Sequence, residues 1–284
     1  EGYEVSLFGR GQINFDLSKY KVHLGDVQKK EDLQKACFGI DVVIHLAALQ
    51  QGSCVLNPKL ANDINYGGTR NSLEVASDLG VSKFIYFSTV HVYGKLSGVI
   101  TESTLTHPLT EYGVSKLKGE ECCLSYKGKM KCIVLRVSNV FGLPLTEKGW
   151  NLAINNFCKQ VVSKNEIKLN TKGLQKIDLI GISNINQVIS ILLKTSSKRI
   201  IHNLFNIGGM DTKSIKQIAD IIAKIYSVIS KKEVKISFPK DTLTEEIVDF
   251  TYNVDRIREL GYIPKTNFED EIKKILKKCI DTNE

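Results

Sequence analysis

The chain has 284 residues, of which 42% are hydrophobic and 25% are charged, and its formal net charge at pH 7 is +8. This composition is typical of a globular protein, and the length allows one large domain or two modest ones. The lysines are spread along the whole chain and form no basic block. The charge therefore favours an anionic small molecule as the partner and argues against nucleic acid.

Cysteine, histidine and apolar residues exclude other classes of protein. The seven cysteines include no Cys-x-x-Cys pair, and the five histidines are scattered without metal-ligand spacing. This usage indicates a reduced, cytoplasmic protein with no structural metal. No stretch approaches 18 consecutive apolar residues, so no association with a membrane is expected.

The first half of the chain alternates short apolar runs with amphipathic stretches. The runs predict strands at 3–8, 20–26, 41–48, 83–89 and 131–142, and the amphipathic stretches predict helices at 29–39, within 60–80 and at 112–126. The run "DVVIHLAA" (41–48) is continuously apolar, which is typical of a strand buried on both faces of a parallel sheet. Strands separated by helices predict an α/β fold with a doubly wound, Rossmann-type parallel sheet.

The second half has a looser rhythm. It predicts helices at 151–163, 184–194, 214–229 and 268–279, and strands at 166–170, 204–209 and 233–238. We interpret this half as a smaller, partly interleaved α/β lobe. The predicted domains are a dinucleotide-binding domain over 1–149, with part of 178–200, and a substrate-binding lobe over 150–284.

The Gly-rich turn of a dinucleotide-binding sheet is not found near the start of the sequence. Such sheets open with an apolar strand and a Gly-rich turn at a helix N-terminus, where the pyrophosphate binds. The opening "EGYEV" (1–5) instead reads as the end of that first helix followed by the second strand. We therefore expect that one strand, the turn and most of one helix precede this sequence in a longer protein.

The stretch "EYGVSKLKGE" (111–120) places Tyr112 four residues before Lys116. On a helix this spacing brings the two side chains to one face, where an ammonium would favour the phenolate and lower the tyrosine pKa from its usual value of about 10. A phenol tuned in this way can exchange a proton with a substrate hydroxyl while a hydride moves to or from a nicotinamide. The run "YFSTVHVYG" (86–94) supplies two hydroxyls, Ser88 and Thr89, at the end of a predicted strand, where open α/β sheets bind ligands.

With these residues, the chain resembles the extended short-chain dehydrogenase/reductase family, the NAD(P)-dependent epimerases, dehydratases and reductases of nucleotide sugars. The resemblance covers nearly all of residues 1–280. It is carried by four motifs in their order and spacing, "HLAA" (45–48), "FSTVHVYG" (87–94), "YGVSK" (112–116) and "RVSNVFG" (136–142).

The resemblance implies a role for each matching residue. Thr89, Tyr112 and Lys116 match the catalytic hydroxyl, the acid/base and the ribose ligand. The positions implied in cofactor binding, besides Tyr112 and Lys116, are Gly9, Arg10, Asp26, Val27, Leu46, Ala47, Ala48 and Val140. Those implied in substrate binding are Ser88, Thr89, Val90, Asn139 and Lys176. Asn65 matches a residue that braces the helix of the site, and a nucleotide sugar, NADP or NAD, and a second copy of the chain are the implied partners.

Several of these residues have a simpler interpretation. Asp26 can serve only to cap a turn, Asn65 can be purely structural, and Ser88 can be a reserve hydroxyl. His45 is expected to be a core histidine and not a catalyst.

Two departures from the family pattern bear on specificity. Relatives that select NAD carry an acid at the end of the second strand, where this chain has Gly9 followed by Arg10. A small residue and an arginine suit a 2′-phosphate, which favours NADP. In "LQKIDLIGISN" (174–184), Ile177 replaces an arginine that often binds the nucleotide diphosphate, and Lys176 beside it can offer only a point charge.

The sequence leaves the reaction open between two outcomes. The 4,6-dehydratases of the family carry an acidic pair directly after the catalytic threonine, where this chain has Val90 and His91. We therefore expect hydride transfer at one carbinol or keto carbon, with an epimerase favoured and an NADPH-dependent ketoreductase of a nucleotide sugar, or of a steroid-like or flavonoid-like ketone, as the alternative. A non-catalytic NADP sensor or scaffold is a third hypothesis, which the presence of Tyr112 and Lys116 disfavours.

Overall fold

The computed structural model describes residues 2–11, 16–145, 147–239, 248–265 and 267–283. In chain order, its strands are β1 (Ser6–Gly9), β2 (Lys21–Leu24), β3 (Val42–His45), β4 (Lys83–Thr89), β5 (Gly98–Ile100), β6 (Lys131–Val137), β7 (Asn139–Phe141), β8 (Glu166–Lys168), β9 (Lys176–Gly181), β10 (Leu204–Ile207), β11 (Thr212–Ser214), β12 (Lys235–Ser237) and β13 (Phe250–Tyr252). The α-helices are α1 (Lys30–Cys37), α2 (Gln51–Leu56), α3 (Pro58–Ala61), α4 (Thr69–Asp78), α5 (Glu111–Ser125), α6 (Ala153–Lys164), α7 (Ile182–Lys194), α8 (Ile215–Ser230), α9 (Asp255–Arg258) and α10 (Phe268–Asn283). A π-helical segment, Asn62–Gly68, leads into α4, and 3₁₀ turns lie at Val90–Tyr93 and Glu147–Asn151.

The chain divides into two compact units, each made of three segments that are not contiguous in the sequence. The first unit contains Glu1–Lys95, Glu102–Val137 and Thr195–Phe205. The second contains Leu96–Thr101, Ser138–Lys194 and Asn206–Glu284. The predicted assignment of a cofactor domain over 1–149, with part of 178–200, and a substrate-binding lobe over 150–284 stays a prediction.

The first unit is built on parallel strands, as expected. Its main sheet has the order β10–β6–β4–β3, in which β10 contributes Leu204 and Phe205 to this unit. Strands β4 and β6 pair in parallel from Lys83↔Lys131 to Thr89↔Val137. Strands β1 and β2 form a separate parallel pair. The parallel α/β architecture is therefore confirmed.

Alternation along β4 explains how helices cover this sheet. Phe84 and Tyr86 lie in a cluster with residues of α4, α5 and β6, whereas Ile85 between them is fully buried outside that cluster. Successive side chains of a strand leave from opposite faces, so β4 is buried on both sides, as its apolar sequence predicts.

Strand β3 is less buried than its sequence predicts. Val42 and Val43 are half-buried and Ile44 is exposed, whereas His45 is buried. The reason is topological, because β3 is the last strand of its sheet and pairs only with β4 among the described residues. An apolar run predicts a strand but does not predict whether that strand lies in the middle or at the edge of the sheet.

The second unit combines small sheets with three long helices. Its sheets are β11–β9–β7, β12–β8 and β13–β5. Its core is formed largely by side chains of α6, α8 and α10, including Phe157, Ile222 and Ile275. Helix α8 begins with a capping box, in which Ser214 and Gln217 each bond the other's backbone amide.

The predicted single strand over 131–142 is wrong in one respect. It is two strands, since β6 ends at Val137 in register with β4 and β7 begins at Asn139 in register with Leu179 of β9. The apolar run does not show that the chain changes sheet at Ser138. Six short strands and helices were also missed, namely β5, β9, β11, β13, α2 and α9, because three- to six-residue elements carry little periodicity.

Candidate functional site

The end of strand β4 presents the first component of the site. Ser88 and Thr89 are its last two residues, and both are buried. Thr89 then caps the 3₁₀ turn Val90–Tyr93, where its side-chain oxygen accepts a hydrogen bond from the His91 amide at 3.3 Å. This cap fixes the Thr89 hydroxyl at the carboxyl end of a parallel strand, the edge at which open α/β sheets bind ligands.

Helix α5 supplies the second component. Thr110 is its N-cap and accepts a hydrogen bond from the Gly113 amide at 3.1 Å, so Tyr112 lies in the first turn and Lys116 one turn later. A β-carbon at Gly113 would lie 2.8 Å from the His91 carbonyl oxygen. Only glycine allows this close approach of the helix to the turn after β4.

The geometry brings Tyr112 and Thr89 together. Their side chains are hydrogen-bonded to each other, and the His91 ring lies edge-on to the Tyr112 ring with centroids 6.0 Å apart. Burial raises the pKa of Tyr112, and the hydrogen bond with Thr89 opposes that rise. A substrate oxygen placed between the two hydroxyls would contact both.

The direction of the Tyr112 pKa differs from the expected lowering. Removing the phenol from water outweighs the favourable contacts of this chain's own groups. Burial also lowers the pKa of Lys116 to about 7, so near neutral pH this lysine is only partly charged. A partly neutral amine does little to favour a phenolate, which explains the difference.

Lys116 is a buried cation on the inner face of α5. Its ammonium lies 4.2 Å from the centre of the Tyr86 ring. Within the described part of the chain, no carboxylate lies within ion-pair distance of this nitrogen. Its hydrogen-bond donors are therefore available to a ligand's hydroxyl groups, the role that the sequence predicts for it.

Asn65 holds the site helix from the π-helical segment. Its amide nitrogen donates to the Ser115 hydroxyl at 2.9 Å, and that hydroxyl donates to the Tyr112 carbonyl at 2.9 Å. Its amide oxygen accepts from the Leu49 amide at 2.6 Å. This chain of hydrogen bonds ties the start of α5 to the segment after β3, and the bracing role of Asn65 stays a prediction.

A buried ion pair lies behind the site, and Ser88 belongs to it. The Glu120 carboxylate accepts two-point hydrogen bonds from the Arg136 guanidinium, at 3.0 and 2.8 Å, and a short one from the Ser88 hydroxyl. Arg136 also stacks over the Tyr93 ring at 4.7 Å. The Ser88 hydroxyl is thus engaged inside the protein, so the reserve role considered for it lacks geometric support.

Sequence reasoning missed Tyr86, Glu120 and Arg136. The available signals were the four-residue spacing from Lys116 to Glu120 and a lone arginine within the apolar run of β6. Neither signal could show that these charges meet each other, because the ion pair forms only when helix α5 packs on strand β6.

The predicted cofactor residues lie at the ends of β1, β2 and β3. Gly9 ends β1, and a β-carbon there would meet no atom of the described residues within 4 Å. Arg10 follows and forms an ion pair of 3.6 Å with Asp26. Asp26 also accepts a hydrogen bond from the Gln28 amide at 3.0 Å, so it does cap a turn, as its simpler interpretation holds.

The remaining predicted cofactor residues differ in exposure. The Val27 side chain is buried in a core cluster and packs against Gly68. A β-carbon added at Gly68 would lie 2.5 Å from the Val27 side chain. Leu46 is 63% exposed, and Ala47 and Ala48 are half-buried beyond the end of β3. These contacts leave Leu46 as the more accessible apolar side chain.

His45 is a core residue, as expected. Its ring stacks against Phe84 and Tyr86 at 5.6 and 5.9 Å and contacts the Thr69 hydroxyl at 3.0 Å. Burial, with the nearby Lys116 charge, lowers its pKa to about 3. It therefore stays neutral at physiological pH.

The other predicted substrate residues lie in the second unit, apart from Val90, which is buried. The Asn139 amide donates to the Asp178 carbonyl at 3.1 Å, and the adjacent Val140, which was predicted as a cofactor residue, is 39% exposed. Lys176 is paired with Asp249. The neighbouring Asp178 accepts hydrogen bonds from the Gly209 and Asp211 amides, and burial raises its pKa to about 6.

Comparison with known proteins shows the family of this chain. The model of the NAD dependent epimerase/dehydratase family matches residues 1–208. The chain belongs to this family. An uncharacterised UDP-glucose epimerase of Bacillus subtilis is 27% identical over 246 residues, which are 84% of this chain and 74% of that relative. The dTDP-D-glucose 4,6-dehydratase of Mus musculus is 28% identical over 244 residues, 83% of this chain and 66% of the relative.

A solved structure agrees with the fold. UDP-glucuronic acid 4-epimerase from Bacillus cereus, in complex with UDP-glucuronic acid and NAD, is similar with a TM-score of 0.78 and 27% identity, covering 93% of this chain and 83% of that one. The predicted family, the Rossmann-type α/β fold and the prediction of an enzyme of the extended short-chain dehydrogenase/reductase type are confirmed. Within the described residues, none of the helices has the length and apolar character needed to span a bilayer.

Proposed function

We propose that this chain is an NAD(P)-dependent enzyme that moves a hydride at one carbinol or keto carbon of a nucleotide-activated sugar, and that its net reaction is epimerisation. One observation carries the proposal. The Tyr112 and Thr89 hydroxyls are hydrogen-bonded to each other at the carboxyl end of a parallel strand, with a buried lysine one helical turn away.

The residues present fit a nicotinamide dinucleotide. The Lys116 ammonium is buried without a carboxylate partner among the described residues and would bond the ribose hydroxyls of the cofactor. Gly9 and Arg10 would lie beside the adenosine ribose, where the free space at Gly9 can accept a phosphate. The nicotinamide supplies the acceptor and donor of the hydride when it is bound.

The chain's own groups handle the proton. The Thr89 hydroxyl bonds the reacting oxygen of the sugar and orients it toward Tyr112. The Tyr112 phenol, which burial keeps protonated near neutral pH, donates a proton to a keto oxygen or, as phenolate, takes one from a hydroxyl. If the bound cofactor returned the hydride to the opposite face of the sugar ring, that carbon would be inverted without net use of cofactor.

The relatives support a nucleotide sugar as the substrate class. One is a UDP-glucose epimerase and one solved relative binds UDP-glucuronic acid, each at 27% identity. Lys176 offers a positive charge for the diphosphate, although its pairing with Asp249 must then be exchanged. A steroid-like or flavonoid-like ketone would not need this charge.

A second candidate is an NADPH-dependent ketoreductase of a nucleotide sugar. The observation that favours it is the pair of Gly9 and Arg10, since a small residue beside a guanidinium suits a 2′-phosphate. Cellular NADPH is a reductant, so a preference for it would favour net reduction and release of the product before the hydride returns.

One experiment separates the two candidates. The protein is incubated with UDP-glucose, UDP-glucuronic acid and their 4-keto derivatives, each with NAD or NADPH, and the products are identified by NMR. Inversion at one carbon without change in reduced nicotinamide supports the epimerase, and stoichiometric oxidation of NADPH supports the reductase. Lys116→Met is the matched inactive control, and no conversion by the wild type of any member of the panel contradicts the proposed substrate class.

A further inference from the structure

Tyr86 contacts both the backbone and the ammonium group of Lys116. Tyr86 is fully buried on β4, and its ring face lies 4.2 Å from the Lys116 ammonium. Its hydroxyl donates a hydrogen bond of 3.1 Å to the Lys116 carbonyl oxygen. One side chain of the sheet thus holds both the backbone and the charged tip of the lysine.

Helix α5 is shaped to receive this tyrosine. A β-carbon at Gly119 would lie 2.2 Å from the Tyr86 hydroxyl oxygen and 2.7 Å from the adjacent ring carbon. Any other residue at Gly119 would push the helix away from the ring. The contact between Tyr86 and Lys116 therefore depends on a close approach that the sequence permits at this position.

The ring is the nearest group that can stabilise the lysine's charge. In the described part of the chain, no carboxylate is within ion-pair distance of Lys116, and Glu120 one turn further along is held by Arg136. The face of an aromatic ring attracts a cation, and the attraction is strongest where water is excluded. We infer that Tyr86 is a positioning residue, which holds the Lys116 ammonium through its ring face and keeps it charged and directed at the cofactor ribose. The second part of this inference rests on the proposed function.

Other groups near Lys116 act on its charge and stay constant when Tyr86 is changed. Burial lowers the Lys116 pKa to about 7, while Glu120 and Cys54 act in the opposite direction. Titratable groups of α5 and of the elements around it include His45 of β3, Cys54 of α2, His91 of the turn after β4, Tyr112 and Glu120 of α5, and Arg136 of β6. His45 is neutral near pH 7, because its pKa is about 3.

Loss of the ring should make Lys116 easier to deprotonate. A desolvated contact between a cation and a ring is strong enough to change a pKa by about 1. A decrease from about 7 to about 6 lowers the charged fraction at pH 7 from about one half to about one tenth. If only the ammonium form bonds the ribose, cofactor affinity at pH 7 falls about fivefold, and the deficit becomes less than about twofold at pH 5.5.

The first experiment measures the lysine directly in the protein without cofactor. Lysine labelled with ¹³C is titrated by NMR in the wild type, Tyr86→Phe, Tyr86→Leu and Tyr86→Met, and the Lys116 signal is identified by its absence in Lys116→Met. We expect Tyr86→Phe to keep the wild-type pKa, since the ring remains, and both ring-free variants to lower it by about 1. Phe84→Leu is the matched control, because Phe84 is equally buried in the same cluster and stacks on His45.

Ring fluorination tests whether a lower Lys116 pKa comes from the lost attraction between ring and cation and not from a change in packing. Phenylalanine with one, two or three ring fluorines, placed at Tyr86 by an expanded genetic code, weakens the attraction for a cation while the packing is nearly preserved. The Lys116 pKa should fall stepwise with fluorine number. An unchanged pKa along this series, or an unchanged or raised pKa in a folded ring-free variant, overturns the inference.

The second experiment measures binding of NAD and NADP by calorimetry at pH 5.5 and pH 7. The ring-free variants should bind about fivefold more weakly at pH 7 and nearly normally at pH 5.5. A purely structural role predicts an equal deficit at both pH values, which would contradict the inference. If Lys116→Met binds both cofactors as well as the wild type while the titrations behave as expected, the proposed cofactor role fails and the ring contact stands.

Discussion

Among single residues, Tyr112 should affect chemistry with the least effect on the fold. Tyr112→Phe removes the hydroxyl that is bonded to Thr89 but keeps the ring beside His91. We expect a loss in turnover of at least about 10²-fold, the usual scale for removing a general acid–base group, with nearly unchanged thermal stability and cofactor affinity. Steady-state kinetics and thermal unfolding measure the two quantities.

The same substitution elsewhere on α5 is the control for Tyr112. Tyr126 is the C-cap residue of this helix, and Tyr126→Phe should leave turnover unchanged. In the wild type, the rate of substrate oxidation should increase with pH, because the raised pKa of Tyr112 keeps the phenolate scarce near neutrality. A fully active Tyr112→Phe enzyme would overturn the proposed proton transfer.

Gly9 and Arg10 should set the choice between NADP and NAD. The space at Gly9 accommodates a carboxylate, so Gly9→Asp should repel the 2′-phosphate and shift the ratio of affinities toward NAD by about tenfold, the scale of one partly screened charge contact. Arg10→Gln should weaken NADP binding alone. Arg258→Gln is a matched control, because its side chain is exposed to a similar degree and also pairs with an aspartate.

Titration of the protein fluorescence with each cofactor measures these affinities. Equal affinities for NADP and NAD in the wild type would contradict the predicted preference. A ratio that does not change in Gly9→Asp would show that the ribose lies elsewhere.

At the scale of elements, the position of α5 depends on Asn65. This amide is fully buried and links the segment after β3 to Ser115 and, through it, to the Tyr112 carbonyl. Asn65→Ala leaves several buried polar groups unpaired, which should cost roughly 2–3 kcal/mol in free energy of unfolding. Turnover should fall as well, because the first turn of α5 carries Tyr112.

Two measurements and one control test the bracing by Asn65. Hydrogen exchange at the amides of the first turn of α5 should become faster in Asn65→Ala, and thermal unfolding should occur at a lower temperature. Asn71→Ala is the control, since the Asn71 side-chain amide donates to the Val27 and Gln28 carbonyls but is only half-buried. Wild-type turnover in a destabilised Asn65→Ala would show that the residue supports the fold and not the site.

The elements that sequence predicts well are those with long, continuous patterns. The largely apolar run of β4 and the helix that begins near Tyr112 are both visible in the sequence, and together they place Thr89 near Tyr112. Motif spacing adds Lys116 and Asn65. These parts were predictable because their determinants are local.

What could not be predicted depends on pairings between distant segments. Strand β5 pairs with β13, whose residues lie about one half of the chain away, and neither three-residue strand has a periodic pattern. The buried pair of Glu120 and Arg136 likewise forms only when α5 packs on β6. The partial charge of Lys116 depends on burial, which the residue type does not reveal.

At the scale of the whole molecule, membership of the family leaves the reaction type open. The relatives include both a UDP-glucose epimerase and a 4,6-dehydratase at nearly equal identity, 27% and 28%. Overall fold and similarity therefore cannot choose between hydride transfer alone and hydride transfer with loss of water. The choice between the two reactions must come from the few side chains that face the sugar carbon next to the one that exchanges the hydride.

We expect no dehydratase activity from this molecule. Dehydration requires one group to take a proton from a carbon and another to protonate the leaving hydroxyl on the next carbon. The two residues after Thr89 are Val90, which is buried and has no titratable group, and His91, whose pKa is lowered by burial so that it is largely neutral near pH 7. A single neutral imidazole cannot supply both the acid and the base.

The protein is therefore incubated with dTDP-glucose and UDP-glucose in the presence of NAD, and 4-keto-6-deoxy products are followed by NMR. Their rate should be at least about 10²-fold below the rate of inversion or reduction, because the pair of acid–base groups that dehydration needs is missing. Lowering the pH toward 6 protonates more His91 but provides no base, so it should not create the activity. Release of a 4-keto-6-deoxy sugar at a rate comparable with the main reaction would show that other side chains supply the proton transfers and would refute the assignment of reaction type.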